Sequence, residues 1–316
     1  MDRRKIILDC DPGQDDAIAI LLAGRHPRLE LLGITVVAGN QTLDKTLKNA
    51  LHVTQHLGLE VPVYAGASRP LVRETQATAG EIHGESGLDG PVFAPLAKKA
   101  EEQHGVWYLI ETLMASQGDI TLVSCGPMTN IALAMRLEPK ITSKIKELVF
   151  MGGAYGLGNV TPAAEFNFYC DPESARIVLN SGCPMTMMGL DLTAQALCTW
   201  ETVQRMKKAS NKAAELFCDT MSFYLEREGK QYGMQGGPLH DPACIAYLID
   251  PACIKTKPMY VQVDTVQGMN YGRSVCDYYE VMKKKPNVNV AVTLDAPRFW
   301  DLVENGIRLY DEERER

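Results

Sequence analysis

The chain has 316 residues, 46% hydrophobic and 22% charged, with a formal net charge of -7 and nine cysteines. This is an ordinary globular composition, which excludes collagen, coiled coil and wholesale disorder. The acidic balance argues against a grip on nucleic-acid phosphates. At ~150 residues per domain the length allows two domains. No Pro/Gly/Ser-rich linker, composition break or repeat divides the chain, so a single domain over 1–316 is expected. No apolar run approaches the ~18 residues of a membrane span. The basic start MDRRKIILDCDPG has an apolar core, Ile6 to Leu8, far shorter than the ~7–15 residues of a signal peptide. The odd number of scattered cysteines contains no CxxC pair. Reduced thiols in a cytoplasmic protein are expected, not a disulfide framework or a zinc site.

From the first residues, short apolar runs alternate with amphipathic stretches. KIILDC (5–10) reads as a buried strand and DDAIAILLAGRH (15–26) as the helix after it. LELLGITVVAG (29–39) is a second strand, followed by a helix over 43–58 that ends at Gly58. The strand series continues at 61–66, 120–126, 145–153 and 184–192, with helices near 104–117, 129–137 and 171–181. Strict alternation of this kind predicts an α/β fold, with a mostly parallel sheet flanked by helices. The C-terminal half is helix-rich, with helices expected over 201–209, 211–229 and 240–249. Two long irregular stretches, about 67–97 and 154–170, carry His, Glu, Asn and aromatic residues. Long loops in a compact domain are commonly functional, and open α/β sheets place ligands just after their strands.

The strongest chemical signal is DCDPGQDDA, Asp9 to Ala17. Four carboxylates within eight residues repel one another unless a cation neutralises them. Asp11 ends the first strand, Pro12-Gly13 turns the chain, and Asp15-Asp16 open a helix, so the turn folds Asp11 back toward the pair. Helix capping accounts for one aspartate but hardly for three. Oxygen ligands of this kind suit Ca²⁺ or Mg²⁺.

Together with TVVAGN (35–40), GPMTNIALA (126–134), MGGA (151–154), AEFNFYCDPESA (164–175) and HDP (240–242), this motif resembles the nucleoside hydrolases, inosine-uridine-preferring N-ribohydrolases. The resemblance spans almost the whole chain in the expected order. It implies the nucleoside hydrolase fold, one Ca²⁺ per subunit and a homotetramer acting on small nucleosides, with neither nucleic acid nor membrane as partner. It also implies that Asp11, Asp16 and Asp241 bind the ion with their carboxylates and Cys125 with its backbone carbonyl. Asp11 matches the base that activates water. Asp15, Asn40, Asn159, Glu165 and Asn167 match the family's ribose-holding residues, and Met151 matches one that packs beneath the sugar. Asn40 and Asn159 also sit in turn-like sequences. Glu165 and Asn167, at alternate positions of AEFNF, are expected to face one side of an extended segment.

A His with an ordinary pKa can donate a proton to a leaving base. His240, beside Asp241, and His83, in the Gly-rich IHGESGLDG loop, are the candidates. His26, His52, His56 and His104 are read as structural residues on helix surfaces or ends. The HGESGLDGP and HDP blocks, with Tyr232 ahead of GMQGGP, most resemble the pyrimidine-preferring bacterial branch, which implies uridine and cytidine as preferred substrates. Phe166 and Tyr232 are candidates to stack on the base, or else pack the pocket rim. Glu228 stands where that branch can carry a base-reading amide, and Val160 where an aromatic is possible. Three alternatives stay open: a broad or purine-tolerant hydrolase, a Mg²⁺-dependent phosphohydrolase with an Asp nucleophile in Asp9-Cys10-Asp11, and a non-catalytic nucleoside-binding protein.

Overall fold

Each apolar run early in the chain is short enough for a strand and is followed by a helix long enough to return the chain across the sheet. The computed structural model describes residues 3–232 and 236–311, with 228–232 described by backbone alone. The first half comprises β1 (Arg4–Cys10), α1 (Gln14–Arg25), β2 (Leu29–Val36), α2 (Leu43–His56), β3 (Val63–Ala65), α3 (Gly80–His83), α4 (Gly105–Ala115), β4 (Ile120–Ser124), α5 (Thr129–Leu137) and β5 (Ile145–Met151). Then come α6 (Phe166–Cys170), α7 (Pro172–Leu179), β6 (Met185–Met188), α8 (Leu190–Thr193), β7 (Leu197–Cys198), α9 (Trp200–Lys207) and α10 (Lys212–Tyr232). The chain closes with β8 (Gly237–Pro238), α11 (Pro242–Ile249), β9 (Ile254–Met259), β10 (Val261–Val263), β11 (Ser274–Cys276), β12 (Val288–Leu294) and α12 (Ala296–Arg308). Among the described residues no helix is long and apolar enough to cross a membrane.

Eight strands form the central sheet in the order β3-β2-β1-β4-β5-β6-β12-β9. All neighbours run parallel except β9, which is antiparallel to β12. From β1 the chain moves outward to β2 and β3, then returns to lay β4 on the other side of β1. That reversal opens a crevice beyond the carboxyl ends of β1 and β4, where open α/β sheets take their ligands.

Strand β1 shows why it reads as a continuous apolar run. Ile6, Leu8 and Cys10 face one core with α1, while Ile7 faces a second core with α4 and α5. Asp9, on the Ile7 side, is the exception. Its Oδ1 accepts from Thr35 Oγ1 at 2.6 Å and from Asn130 Nδ2 at 2.7 Å, while burial pushes its pKa up to about 7.

Several boundaries depart from the sequence-based expectation. The second strand stops at Val36, because the chain bends at Ala38-Gly39 around the Asp11 carboxylate. PMTMMGLDL is divided: the strand ends at Met188, and Gly189 starts α8. The C-terminal half is helical as expected through α11, but it also supplies β9 and β12 to the sheet and the β10–β11 hairpin. AEFNF is not extended: Glu165 is the N-cap of α6.

Asn130 ties three elements together beneath the crevice. Besides Asp9, its Nδ2 reaches the Val36 carbonyl at 3.2 Å, and its Oδ1 accepts from the Ala67 N–H at 2.7 Å. Asn130→Ala removes one of the two bonds to Asp9 Oδ1 and strands the N–H of Ala67, both buried. Urea unfolding is expected to show a stability loss of about 2–4 kcal/mol with an unchanged denaturant slope.

Candidate active site

The turn after β1 is fixed by Asp16. Its carboxylate accepts from the N–H of Gly13 at 2.9 Å and of Asp11 at 3.2 Å, reaching back over the first turn of α1 as capping-box acids do. Asn40, from the loop after β2, joins the two aspartates. Its N–H donates to Asp11 Oδ2 at 2.6 Å, and its Nδ2 donates to Asp16 Oδ2 and the Asp11 carbonyl, each at 3.2 Å. Two glycines make room for the Asp11 carboxylate. A Cβ on Gly39 would overlap Oδ2, and one on Gly126 would lie 2.5 Å from Oδ1. Asp241 enters from the start of α11.

The result is a concentration of buried like charge. Ligand oxygens of Asp15, Asp16 and Asp241 all lie within 4.8 Å of one another. Asp11 and Asp16 have no exposed surface, and Asp241 and Asp15 have very little. Burial, reinforced by the neighbouring carboxylates, lifts Asp11 and Asp241 well above the usual range and Asp16 to about 7. Asp11 Oδ1 is buried with no hydrogen-bond partner among the described residues. An orphaned carboxylate oxygen beside three clustered ones, all hard donors, fits a divalent cation that would reverse the repulsion. The clustered trio contains Asp15, which sequence reading assigned to ribose. Asp11 stands behind it, joined to Asp16 through its own N–H. The Cys125 carbonyl, at the end of β4, accepts from Asn167 Nδ2 at 2.9 Å.

Above this cluster lies a cavity of about 1330 Å³. Asp15, Asn40, Cys125, Met151, Asn167 and Asp241 line it on the strand-end side. One wall is the segment 156–160 with Glu165 and Phe166; the other is 78–83 with Tyr224 and His240. The sequence-predicted residues with described side chains therefore meet in one place, with Asp11 and Asp16 directly behind. Glu228 and Tyr232 fall outside the described side chains. Glu165 and Asn167 come together through a helix cap: the Glu165 carboxylate accepts from the N–H groups of Gly153, Asn167 and Phe168 at 2.8, 2.8 and 3.0 Å. Burial raises the pKa of Glu165, and these three bonds pull it back. Asn159 Oδ1 accepts from the Phe166 N–H at 2.9 Å, which joins the wall to α6.

The two histidines differ from ordinary proton donors. Burial lowers the pKa of both, that of His83 to about 4. His240 Nδ1 lies 2.7 Å from Thr193 Oγ1, and His83 Nδ1 lies 2.6 Å from Gln14 Oε1. Of the others, His104 caps α4 and His52 stacks on Phe93, both structural roles. Sequence reading missed Gln14, Tyr224 and Asp191. Gln14 sits inside the aspartate motif but carries no charge to draw notice. Asp191 accepts from the N–H of Tyr155 at 2.7 Å and so anchors the 156–160 wall, and nothing local in the sequence signals that contact.

Residues 6–301 match the model of the inosine-uridine preferring nucleoside hydrolases. The chain belongs to this family. The nucleoside hydrolase is 58% identical over 310 residues to the pyrimidine-specific ribonucleoside hydrolase RihB of Escherichia coli K12, a match covering 98% of this chain and 99% of that one. Among solved structures it resembles the purine-preferring ribonucleoside hydrolase of Gardnerella vaginalis, with a TM-score of 0.91 and 35% identity over 98% of this chain and 99% of that one. The plant nucleoside hydrolase PpNRh1 superposes with a TM-score of 0.90 at 30% identity, covering 97% of this chain and 99% of that one. The family hydrolyses N-glycosidic bonds and is metal-dependent, in keeping with the acidic trio.

Gly39 offers a test of the Asp11 position that removes no carboxylate. Gly39→Ala forces the Asp11 carboxylate aside. Turnover of ribonucleosides is expected to fall by about 100-fold, the scale of a misplacement near 1 Å, while circular dichroism stays native. Unchanged turnover in a folded variant would show that the Asp11 carboxylate need not sit where it does.

Proposed function

We propose that this nucleoside hydrolase is calcium-dependent, prefers uridine and cytidine, and works as a cytoplasmic homotetramer. The observation that carries the chemistry is the buried carboxylate cluster opening onto one amide-lined cavity at the switch point of the sheet. The full-length 58% identity to a pyrimidine-specific enzyme, against 35% to a purine-preferring one, supports the base preference. The phosphohydrolase alternative needs cations for phosphate, and among the described residues no Lys or Arg lines the cavity.

Asp11, Asp16, Asp241 and the Cys125 carbonyl are the proposed calcium ligands, with Asp15 beside them. The ion, when bound, supplies Lewis acidity toward water and ribose hydroxyls. Breaking the glycosidic bond builds positive charge on the ribose, as in other glycosides, and a floor of carboxylates favours that charge. Asp15 accepts from ribose hydroxyls. Asn40, Asn159, Glu165 and Asn167 hold the sugar over Met151. The Asp11 carboxylate takes the proton of the attacking water. Phe166 flanks the base; the base-contacting roles expected for Tyr232 and Glu228 fall outside the described side chains.

Assays of uridine, cytidine, inosine and adenosine, with free base separated by chromatography, test the reading. The two pyrimidine nucleosides are expected to be cleaved fastest, and inosine faster than uridine would overturn the preference. Asp16→Ala is expected to lose its calcium by elemental analysis. It should also lose the rise in Tm that added calcium gives the unaltered enzyme, because a ligand of the folded state stabilises by mass action. Full calcium occupancy in that variant would remove Asp16 from the ligand set.

His240 is proposed to assist the leaving base, since a departing pyrimidine gathers negative charge on its ring and carbonyl oxygen. His240→Ala should therefore slow uridine by about 100-fold or more and leave a riboside of nitrophenolate, an intrinsically stable anion, nearly untouched. Equal losses on both substrates would make His240 a sugar- or metal-positioning residue instead.

A further inference from the structure

His83 and Gln14 form a buried pair whose hydrogen bonds leave little freedom. Gln14 is fully buried at the start of α1, between the aspartates that sequence reading singled out. Its Nε2 donates to the carbonyl of Asp89 at 2.9 Å and to that of His83 at 3.3 Å. Both amide protons are thereby used, and the amide oxygen is left facing His83 Nδ1 at 2.6 Å. The opposite amide orientation would set an oxygen against two carbonyls. An amide oxygen can only accept, so Nδ1 carries the proton. The absence of a side chain on Gly13 lets the ring sit this close: a Cβ there would lie 2.6 Å from Nδ1. His83 is 8% exposed and lines the cavity, while Nδ1 is turned into the protein. Its Nε2 has no protein partner among the described residues.

We propose that Gln14 is a positioning residue that holds His83 as the Nδ1–H tautomer, so that Nε2 offers a lone pair to the bound nucleoside and His83 acts as a hydrogen-bond acceptor, not as a proton donor. The inference rests on the nucleoside hydrolase reading for its ligand. The partner is a hydrogen-bond donor of the nucleoside, either the ring N–H of the base or the 5′-hydroxyl. His240 is built differently. Its Nδ1 faces a hydroxyl, which can donate as well as accept, so its Nε2 is free to carry a proton toward the base. One wall of the cavity thus carries an acceptor of fixed sense and a histidine able to donate.

Nitrogen-15 NMR of the calcium-loaded enzyme labelled at histidine tests the tautomer, with His83 assigned from the signals missing in His83→Asn. The expected spectrum shows a protonated Nδ1 and a bare Nε2 at His83. Gln14→Met, which keeps the bulk but removes the acceptor, should shift the ring toward the Nε2–H form. A wild-type ring already in the Nε2–H form would overturn the proposal, and that spectrum is decisive even if Gln14→Met does not fold. The acceptor role is read from kcat/KM for uridine, 3-methyluridine and 5′-deoxyuridine. One analogue should lose about five- to tenfold more in the wild type than in Gln14→Met, the worth of a single hydrogen bond. Excess loss with 3-methyluridine places the base N–H on Nε2; with 5′-deoxyuridine, the sugar hydroxyl. No excess for either analogue would refute the acceptor role. A wild-type enzyme inactive on all ribonucleosides would instead refute the hydrolase reading, while the NMR result would still stand.

Discussion

Buried carboxylates repel, and Asp11, Asp15, Asp16 and Asp241 are buried side by side. Removing one such group from water costs several kcal/mol, and the cost grows when its neighbours carry the same charge. The fold meets that cost locally with donors it has to place anyway. The first amides of α1 and the preceding turn point at Asp16, and the Asn40 N–H points at Asp11. The positive end of α1 lies under Asp15 and Asp16. Even so, the pKa values of Asp11, Asp16 and Asp241 remain raised by burial, and Asp11 Oδ1 has no partner among the described residues. What the protein's own donors leave uncompensated is the charge that a cation would take up.

Holding such a cluster requires a scaffold that does not relax. Strand β1 lies inside the sheet, between β2 and β4, with apolar side chains driven into a separate core on each face. Its position cannot shift without disturbing both. Beneath the cluster, Asp9, Thr35 and Asn130 join β1, β2 and α5 through short bonds. Closeness is also enforced by what is missing: any side chain at Gly39 or Gly126 would occupy the space of the Asp11 carboxylate. Packing and a polar network thus fix strand β1, two small residues make room for the carboxylate at its end, and that rigidity is what lets the repulsion persist.

The parts of this arrangement that are local in sequence were legible in it. DCDPGQDDA announces strand, turn and helix with its carboxylates in place, and the strand–helix alternation gave the parallel sheet. The segment AEFNF was misread because alternating polar residues satisfy both a strand and a capped helix start over so short a span. The N–H groups of Gly153, Asn167 and Phe168 around the Glu165 carboxylate settled it as a helix cap. PMTMMGLDL was run together because Met-rich strand and Leu-rich helix look alike across a single Gly189. Long-range contacts had no sequence signal. Tyr224 lines the cavity from α10, and Asp191 reaches the Tyr155 amide across 36 residues. The pairing of Gln14 with His83 spans 69 residues, and it changes the expected chemistry of that histidine.

The cavity is therefore built in two different ways at its two ends. The carboxylate end hangs on strand termini and helix starts, whose geometry follows from the sheet. The opposite walls are the short segment 78–83, ending in α3, and the loop 156–160, held by a few side-chain contacts such as those of Gln14 and Asp191. A purine-preferring hydrolase that superposes with a TM-score of 0.91 shares the sheet and its switch point. The scaffold thus cannot by itself decide which base is taken. Discrimination between bases has to be made by groups on the walls, where one hydrogen bond of fixed sense or one aromatic face changes the balance by a kcal/mol or so without moving a strand. The same division explains why neutral imidazoles suit the wall and carboxylates the floor. The floor must favour positive charge on a sugar, whereas the wall must distinguish donors from acceptors, and a neutral ring with a locked proton makes that distinction with no net charge to disturb the carboxylates beside it.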